Sequence, residues 1–304
     1  MKNIALIIIS FIFLASCSPQ IQPVVYVPNR PAPVAQPVPP PPPPASSYQV
    51  FYDELSPYGT WIDYPDYGYV WRPNAEPDFR PYATNGQWAY SDAGWTWVSN
   101  YPWGWAAFHY GRWFYEDGYG WLWMPGHEWA PAWVTWGRSG NYYGWAPIAP
   151  KVDISAGSWT PPDNSWNFVP AEHITKPNVV NYVVVHDNTT VINNITKNVT
   201  IINNVTNNHV TNNVTNNVTN NITNNNNHIT NVVYNKGPEV NEVENVANIK
   251  VQRLVINENT KPGASSVTNN NLFVYRPVIK QNEATDKAKP APQKVETYKQ
   301  HNGN

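Results

Sequence analysis

Tryptophan recurs in this chain on a schedule. Gly59-Thr60-Trp61, Gly86-Gln87-Trp88 and Gly111-Arg112-Trp113 each open a unit. Eight or nine residues later come Gly68-Tyr69-Val70-Trp71, Gly94-Trp95-Thr96-Trp97 and Gly120-Trp121-Leu122-Trp123. The period is about 26 residues, the scale at which repeated supersecondary units stack to build a shared core. A fourth, degenerate copy runs from Trp136-Gly137 to Gly144-Trp145-Ala146-Pro147. All 16 Trp fall between Tyr48 and Pro170, so whatever this region folds into must be organised around indoles.

Within each copy the aromatics alternate with period two, which predicts strands. Trp88 and Tyr90 share one side of a first strand and Trp95 and Trp97 one side of a second; Trp113, Tyr115, Trp121 and Trp123 repeat the arrangement. The segments between them (63–67, 91–93 and 116–118) carry Asp, Pro, Ser or Gly and supply turns, so each unit reads as a β-hairpin. A lone hairpin is marginal in water, and the copies must therefore pack together. The connectors Arg72–Tyr82, Tyr101–Phe108 and Pro125–Trp133 look too irregular for helices. The expectation is a mainly β protein whose antiparallel hairpin repeats form a compact domain over 48–172, as a meander, sandwich or small barrel.

Residues 101–150, YPWGWAAFHYGRWFYEDGYGWLWMPGHEWAPAWVTWGRSGNYYGWAPIAP, carry the motif at its densest. This run resembles the tryptophan/glycine-rich (YXWGXW-type) repeat family of uncharacterised Gram-negative envelope lipoproteins, a domain of unknown function. The resemblance implies an exported β-rich domain and transfers no catalytic residue, because the family has no established activity.

The N-terminus reads as an address. Lys2 precedes an apolar run from Ile4 to Leu14, too short to span a bilayer, and Leu14-Ala15-Ser16-Cys17 follows. This tetrapeptide resembles the bacterial lipobox, in which the Cys becomes the acylated first residue, and Cys17 is the single Cys of the chain. Residues 1–17 are thus expected to be a lipoprotein signal peptide. Several acyl chains, at about 0.8 kcal/mol per buried CH2, make a stable anchor. The membrane is the expected partner through Cys17. Ser18 and Pro19 follow without an Asp, which favours the outer membrane, and the absence of a following acidic run favours the periplasmic side. Residues 18–47 are dominated by Pro, culminating in Pro39–Pro44, and read as a polyproline II linker reaching on the order of 90 Å at about 3.1 Å per residue.

Beyond the repeats, residues 178–235 switch to Asn, Val, Ile and Thr. Val210-Thr211-Asn212-Asn213 recurs as Val214-Thr215-Asn216-Asn217, Val218-Thr219-Asn220-Asn221 and Ile222-Thr223-Asn224-Asn225. An extended or solenoid-like β segment held by Asn ladders and a polar linker are both open on this pattern. Residues 236–282 hold two strand-like runs, Ile249–Ile256 and Leu272–Val278, which suggest a hairpin or a cap on the Asn-rich segment. Residues 283–304 read as a disordered tail.

Charge and motif content exclude several classes of function. Lys plus Arg total 19 against 21 Asp plus Glu, with 13% charged residues and no basic block, so no nucleic-acid partner is expected. One Cys rules out a disulfide framework and a multi-cysteine metal centre. His127-Glu128 lacks a second His at the spacing of a zinc protease, so no metal and no cofactor are expected. Asp92, Glu116, Asp117 and Glu128 are the carboxylates weighed for a glycosidase pair; the first three sit in predicted turns, and no catalytic residue is assigned. The reading is a non-enzymatic, lipid-anchored envelope protein of structural or interaction type, with an envelope glycan or envelope protein as partner. The alternative is a glycan- or peptidoglycan-binding module or a carbohydrate-active enzyme. Flat aromatic rings stack on sugars, and Trp103, Trp105, Trp129 and Trp133, on connectors, are its candidate ligand-binding residues.

Overall fold

Each tryptophan repeat folds as the antiparallel hairpin its alternation predicts. In the computed structural model, which describes residues 46–154, 159–184, 196–198, 201–202, 232–280 and 290–300, the hairpins are β1 (Gly59–Tyr64) with β2 (Gly68–Pro73), β3 (Gly86–Ser91) with β4 (Gly94–Ser99), β5 (Arg112–Glu116) with β6 (Gly120–Met124), and β7 (Val134–Ser139) with β8 (Tyr142–Pro147). Their registers superimpose. Trp61 faces Trp71, Trp88 faces Trp97, Trp113 faces Trp123 and Trp136 faces Trp145. None of these eight indoles is more than 1% exposed. We call this the inner rung of each hairpin. The outer rung lies two residues nearer the turn and pairs Asp63 with Tyr69, Tyr90 with Trp95, Tyr115 with Trp121 and Arg138 with Tyr143.

The glycines that open the repeats have a steric reason. On the far side of the inner rung, Gly59 faces Pro73 and Gly86 faces Ser99. A Cβ at Gly59 would lie 2.5 Å from the Trp71 indole, and one at Gly86 would lie 2.4 Å from that of Trp97. The second-strand indole thus lies diagonally across a bare backbone, a contact that any side chain would block. Gly111 also has φ +67 and sits against the Met124 carbonyl, where an added Cβ would fall 2.1 Å away. The degenerate fourth repeat has Val134 at this place, facing Pro147.

The hairpins do not close into a barrel. β2 pairs with β6 at Trp71 and Trp123, joining the first and third hairpins in one sheet. The second and fourth hairpins sit in separate sheets, and their inner rungs touch, with Trp88 and Trp136 ring centroids 4.6 Å apart. Aromatics from the connectors fill the space between. Trp103 packs on Trp71 and Trp113, Phe108 on Trp97 and Trp113, and Tyr82 stacks on Trp88.

Helices appear where aromatic composition concealed them. α1 (Gln49–Leu55) buries Phe51, Tyr52 and Leu55, and the connector expected to be irregular contains one turn, α2 (Gly104–Ala107). Carbonyls at the end of that turn and just beyond it accept the indole N–H groups of the third hairpin: Trp113 donates to Ala107 at 2.7 Å and Trp123 to Tyr110 at 2.7 Å. Both indoles are thereby satisfied on burial.

The remaining strands cover the hairpins. β9 (Asn167–Pro170) pairs antiparallel with β8, and β10 (Thr196–Asn198) with β7. β11 (Ile201–Ile202) pairs with β12 (Tyr234–Asn235). α3 (Val240–Ala247) buries Val240, Val243 and Ala247, a helical spacing within a segment expected to hold two strands. The two C-terminal runs do not form a hairpin with each other. β13 (Arg253–Glu258) and β15 (Asn271–Val274) run parallel; the hairpin is β14 (Ser266–Thr268) with β15. β13 also pairs parallel with β3, so this segment extends the sheet of the second hairpin. In the expected tail, β16 (Glu296–Thr297) pairs parallel with β1 and places Tyr298 against Tyr64.

All described residues belong to the compact unit Pro40–Asn304. The signal peptide with Cys17, nearly all of the Pro-rich linker, and the repeats from Val210 to Asn225 lie outside the described residues.

Candidate functional site

The four connector indoles proposed as a sugar platform are core residues. Trp103, Trp105, Trp129 and Trp133 are 1–3% exposed. Trp105 packs between Phe51 and Tyr275, and Trp133 donates to the His109 carbonyl at 3.0 Å while the Arg112 guanidinium lies 3.3 Å from its ring centroid. Trp129 stacks on His109. The sequence-based expectation took connectors to be surface loops. Here they run between the hairpins, because four hairpins with indoles on one face leave a gap that only further aromatics fill.

His109 is fully buried, and its Nδ1 donates to the Ala130 carbonyl at 3.0 Å, which fixes the tautomer and leaves Nε2 without a protein partner. Burial lowers its pKa to about 4, so the ring is neutral at pH 7. Among the described residues no three His, Cys, Asp or Glu side chains converge as a metal site.

An opening lies elsewhere, at the outer rung of the third hairpin. Tyr115 of β5 and Trp121 of β6 meet edge to face with centroids 5.6 Å apart, and Tyr115 is 50% exposed. They border a cavity of about 380 Å³ whose opposite wall is the end of β8 and residues beyond it, including Pro147, Trp159, Asn164 and Ser165. Such a volume falls within the range of small-molecule sites. Glu116 and Asp117, at the hairpin turn, also line it, and among the described residues the lining contains no Lys or Arg.

Two devices hold this wall and rim. Arg80 donates to the Asn167 Oδ1 at 2.8 Å and to the carbonyls of Asn164 and Trp166 at 2.7 and 3.1 Å, pinning the wall segment. Burial lowers the Arg80 guanidinium to about 10, well short of deprotonation at neutral pH. At the rim, Tyr64 donates to Glu116 Oε2 at 2.9 Å and Tyr298 donates to Oε1. Each Glu116 oxygen thus already accepts a tyrosine hydroxyl, which opposes its use as a general acid or base.

A family model matches residues 52–152. Its description is a family of unknown function (DUF6600), and it covers about a third of the chain. The match takes in all four hairpins and α2; it stops short of the wall at 159–167 and of the C-terminal strands. No curated protein and no solved structure matches.

Proposed function

We propose that this chain is a lipid-anchored bacterial envelope protein of structural or interaction type, acylated at Cys17 and held at the outer membrane with its domain facing the periplasm. The observation that carries this reading is Leu14-Ala15-Ser16-Cys17 directly behind the apolar run Ile4–Leu14, with Cys17 the single Cys of the chain. A Pro-rich stretch as long as 18–47 suits a spacer between an acyl anchor and a folded domain. The resemblance of residues 101–150 to the tryptophan/glycine-rich repeat envelope proteins supports an exported domain. A non-catalytic role is supported by the engagement of Glu116 with Tyr64 and Tyr298 and by the burial of the connector indoles. The partner in this reading is an envelope glycan or an envelope protein.

The test is metabolic labelling with a radioactive fatty acid in a Gram-negative host. The parent chain should incorporate label and fractionate with outer membranes, and Cys17→Ala should do neither. Equal labelling and membrane recovery of Cys17→Ala would refute the anchor.

A further inference from the structure

We infer that the cavity between the β5–β6 outer rung and the facing wall of Pro147, Ala149, Trp159, Pro162, Asn164 and Ser165 is a binding site for an uncharged saccharide, with Tyr115 as its exposed stacking platform. The inference rests on the interaction reading above only for the class of partner; it requires no acyl chain, so the two readings fail separately.

The four hairpins supply an internal control. Their inner rungs are all sealed, and their outer rungs differ in what covers them. Tyr69 is half-buried, with Tyr52 of α1 packed edge to face at 5.8 Å between centroids, and its partner Asp63 is exposed. Tyr90 lies under Arg253 of β13, 5.5 Å from guanidinium to ring, and its partner Trp95 donates to the Pro238 carbonyl at 2.9 Å. Tyr143 is covered by Arg138, which pairs with Glu242 of α3. Tyr90 is 8% exposed and Tyr143 1%, whereas Tyr115, at the place in the repeat that Tyr90 occupies, is 50% exposed. On the third hairpin the chain builds a wall across from the rung and leaves a cavity instead of a cover.

The chemistry of the lining selects the ligand. Two carboxylates and, among the described residues, no cationic side chain in the lining disfavour phosphate, nucleotide and other anionic ligands. An acyl chain would desolvate Asp117, Asn164 and Ser165 without giving them partners. A pyranose ring meets both demands, since its C–H face stacks on aromatic rings while its hydroxyls donate to carboxylate and amide oxygens at the edge. The Tyr115 ring, with the edge of the largely buried Trp121, supplies the first surface, and Asp117 and Asn164 the second. The carbonyl anchors on Arg80 fix Asn164 before any ligand arrives, which lowers the ordering cost of binding.

The experiment is calorimetric titration of the full chain in detergent with the neutral β-1,4-linked tetramers of N-acetylglucosamine and of glucose. Tetramethylammonium, the other ligand that an acidic aromatic site accepts, serves as a competitor. Saturable binding of at least one tetramer is expected, weakened about tenfold or more by Tyr115→Ala with the melting temperature lowered by no more than about 4 °C. Asp117→Asn, at an exposed turn, should weaken it by roughly fivefold, the worth of one hydrogen bond, and guards against a folding defect in the first variant. Tyr90→Ala, the covered equivalent, should leave affinity unchanged. The inference is overturned if neither tetramer binds, if Tyr115→Ala and Asp117→Asn titrate like the parent, or if tetramethylammonium alone binds in a Tyr115-dependent way.

Discussion

Inner and outer rungs of the same hairpins follow different rules. At the inner rung all four repeats place Trp opposite Trp, and at the outer rung they place Asp with Tyr, Tyr with Trp twice, and Arg with Tyr. The inner pairs face one another across a shared core, so each constrains the next, and a change of volume in one is felt by all. Outer pairs answer only to whichever segment happens to cross them. The constant rung therefore carries stability, and the variable rung is where a repeat of this kind has freedom to acquire a surface.

The largest expected effect probes the constant rung. Trp113→Ala should destabilise the protein by about 3–5 kcal/mol, read as a drop in thermal midpoint, because it opens a cavity and strands the Ala107 carbonyl. Trp88 separates packing from hydrogen bonding, since its indole N–H is buried without an acceptor. Trp88→Phe should therefore cost less than Trp113→Phe by about 1 kcal/mol or more, and equal losses would mean that the inner-rung hydrogen bonds contribute nothing.

Acid tests the dryness of the layer between the hairpins. The His109 ring takes up a proton near pH 6.5 in the unfolded chain and only near about 4 in the folded one. Its contribution is fully present above pH 6.5 and is lost as pH falls toward 4, roughly 3 kcal/mol in all, with no further loss from this group below that. Denaturant midpoints between pH 7 and 4 should follow this slope, and His109→Phe should flatten it. An unchanged slope in that variant would assign the acid sensitivity to other groups.

Gly86→Ala asks whether the diagonal indole contact sets the start of each repeat. Its Cβ would meet the Trp97 ring and the Val98 carbonyl, an overpacking penalty of about 1–3 kcal/mol. Val134→Gly in the fourth hairpin, where no such diagonal glycine stands, should bring no compensating gain. The smallest effect is the one that sharpens the comparison most. Tyr115→Ala should cost about 1 kcal/mol, the edge contact of a half-exposed ring with Trp121, whereas Tyr90→Ala should cost about 2 kcal/mol or more for the lost burial under Arg253. Equal losses from the two would erase the distinction between a covered and an open outer rung.

The amino-acid sequence alone determined the hairpins, their turns and the pairing of indoles across them, because strand alternation and cross-strand contact are local and a period of about 26 residues repeats the message. Tertiary structure decided what lies over each hairpin. α3 and β13 come roughly a hundred or more residues after the rungs they cover, and α1 is written in aromatics that also suit strands. Burial of Trp103, Trp105, Trp129 and Trp133 was hidden for the same reason: a connector's composition does not reveal whether it runs over the surface or between sheets. The exposure of Tyr115 was equally invisible, since it follows its repeat Trp by two residues just as Tyr90 does, and only the packing of distant segments left one ring covered and the other facing a cavity.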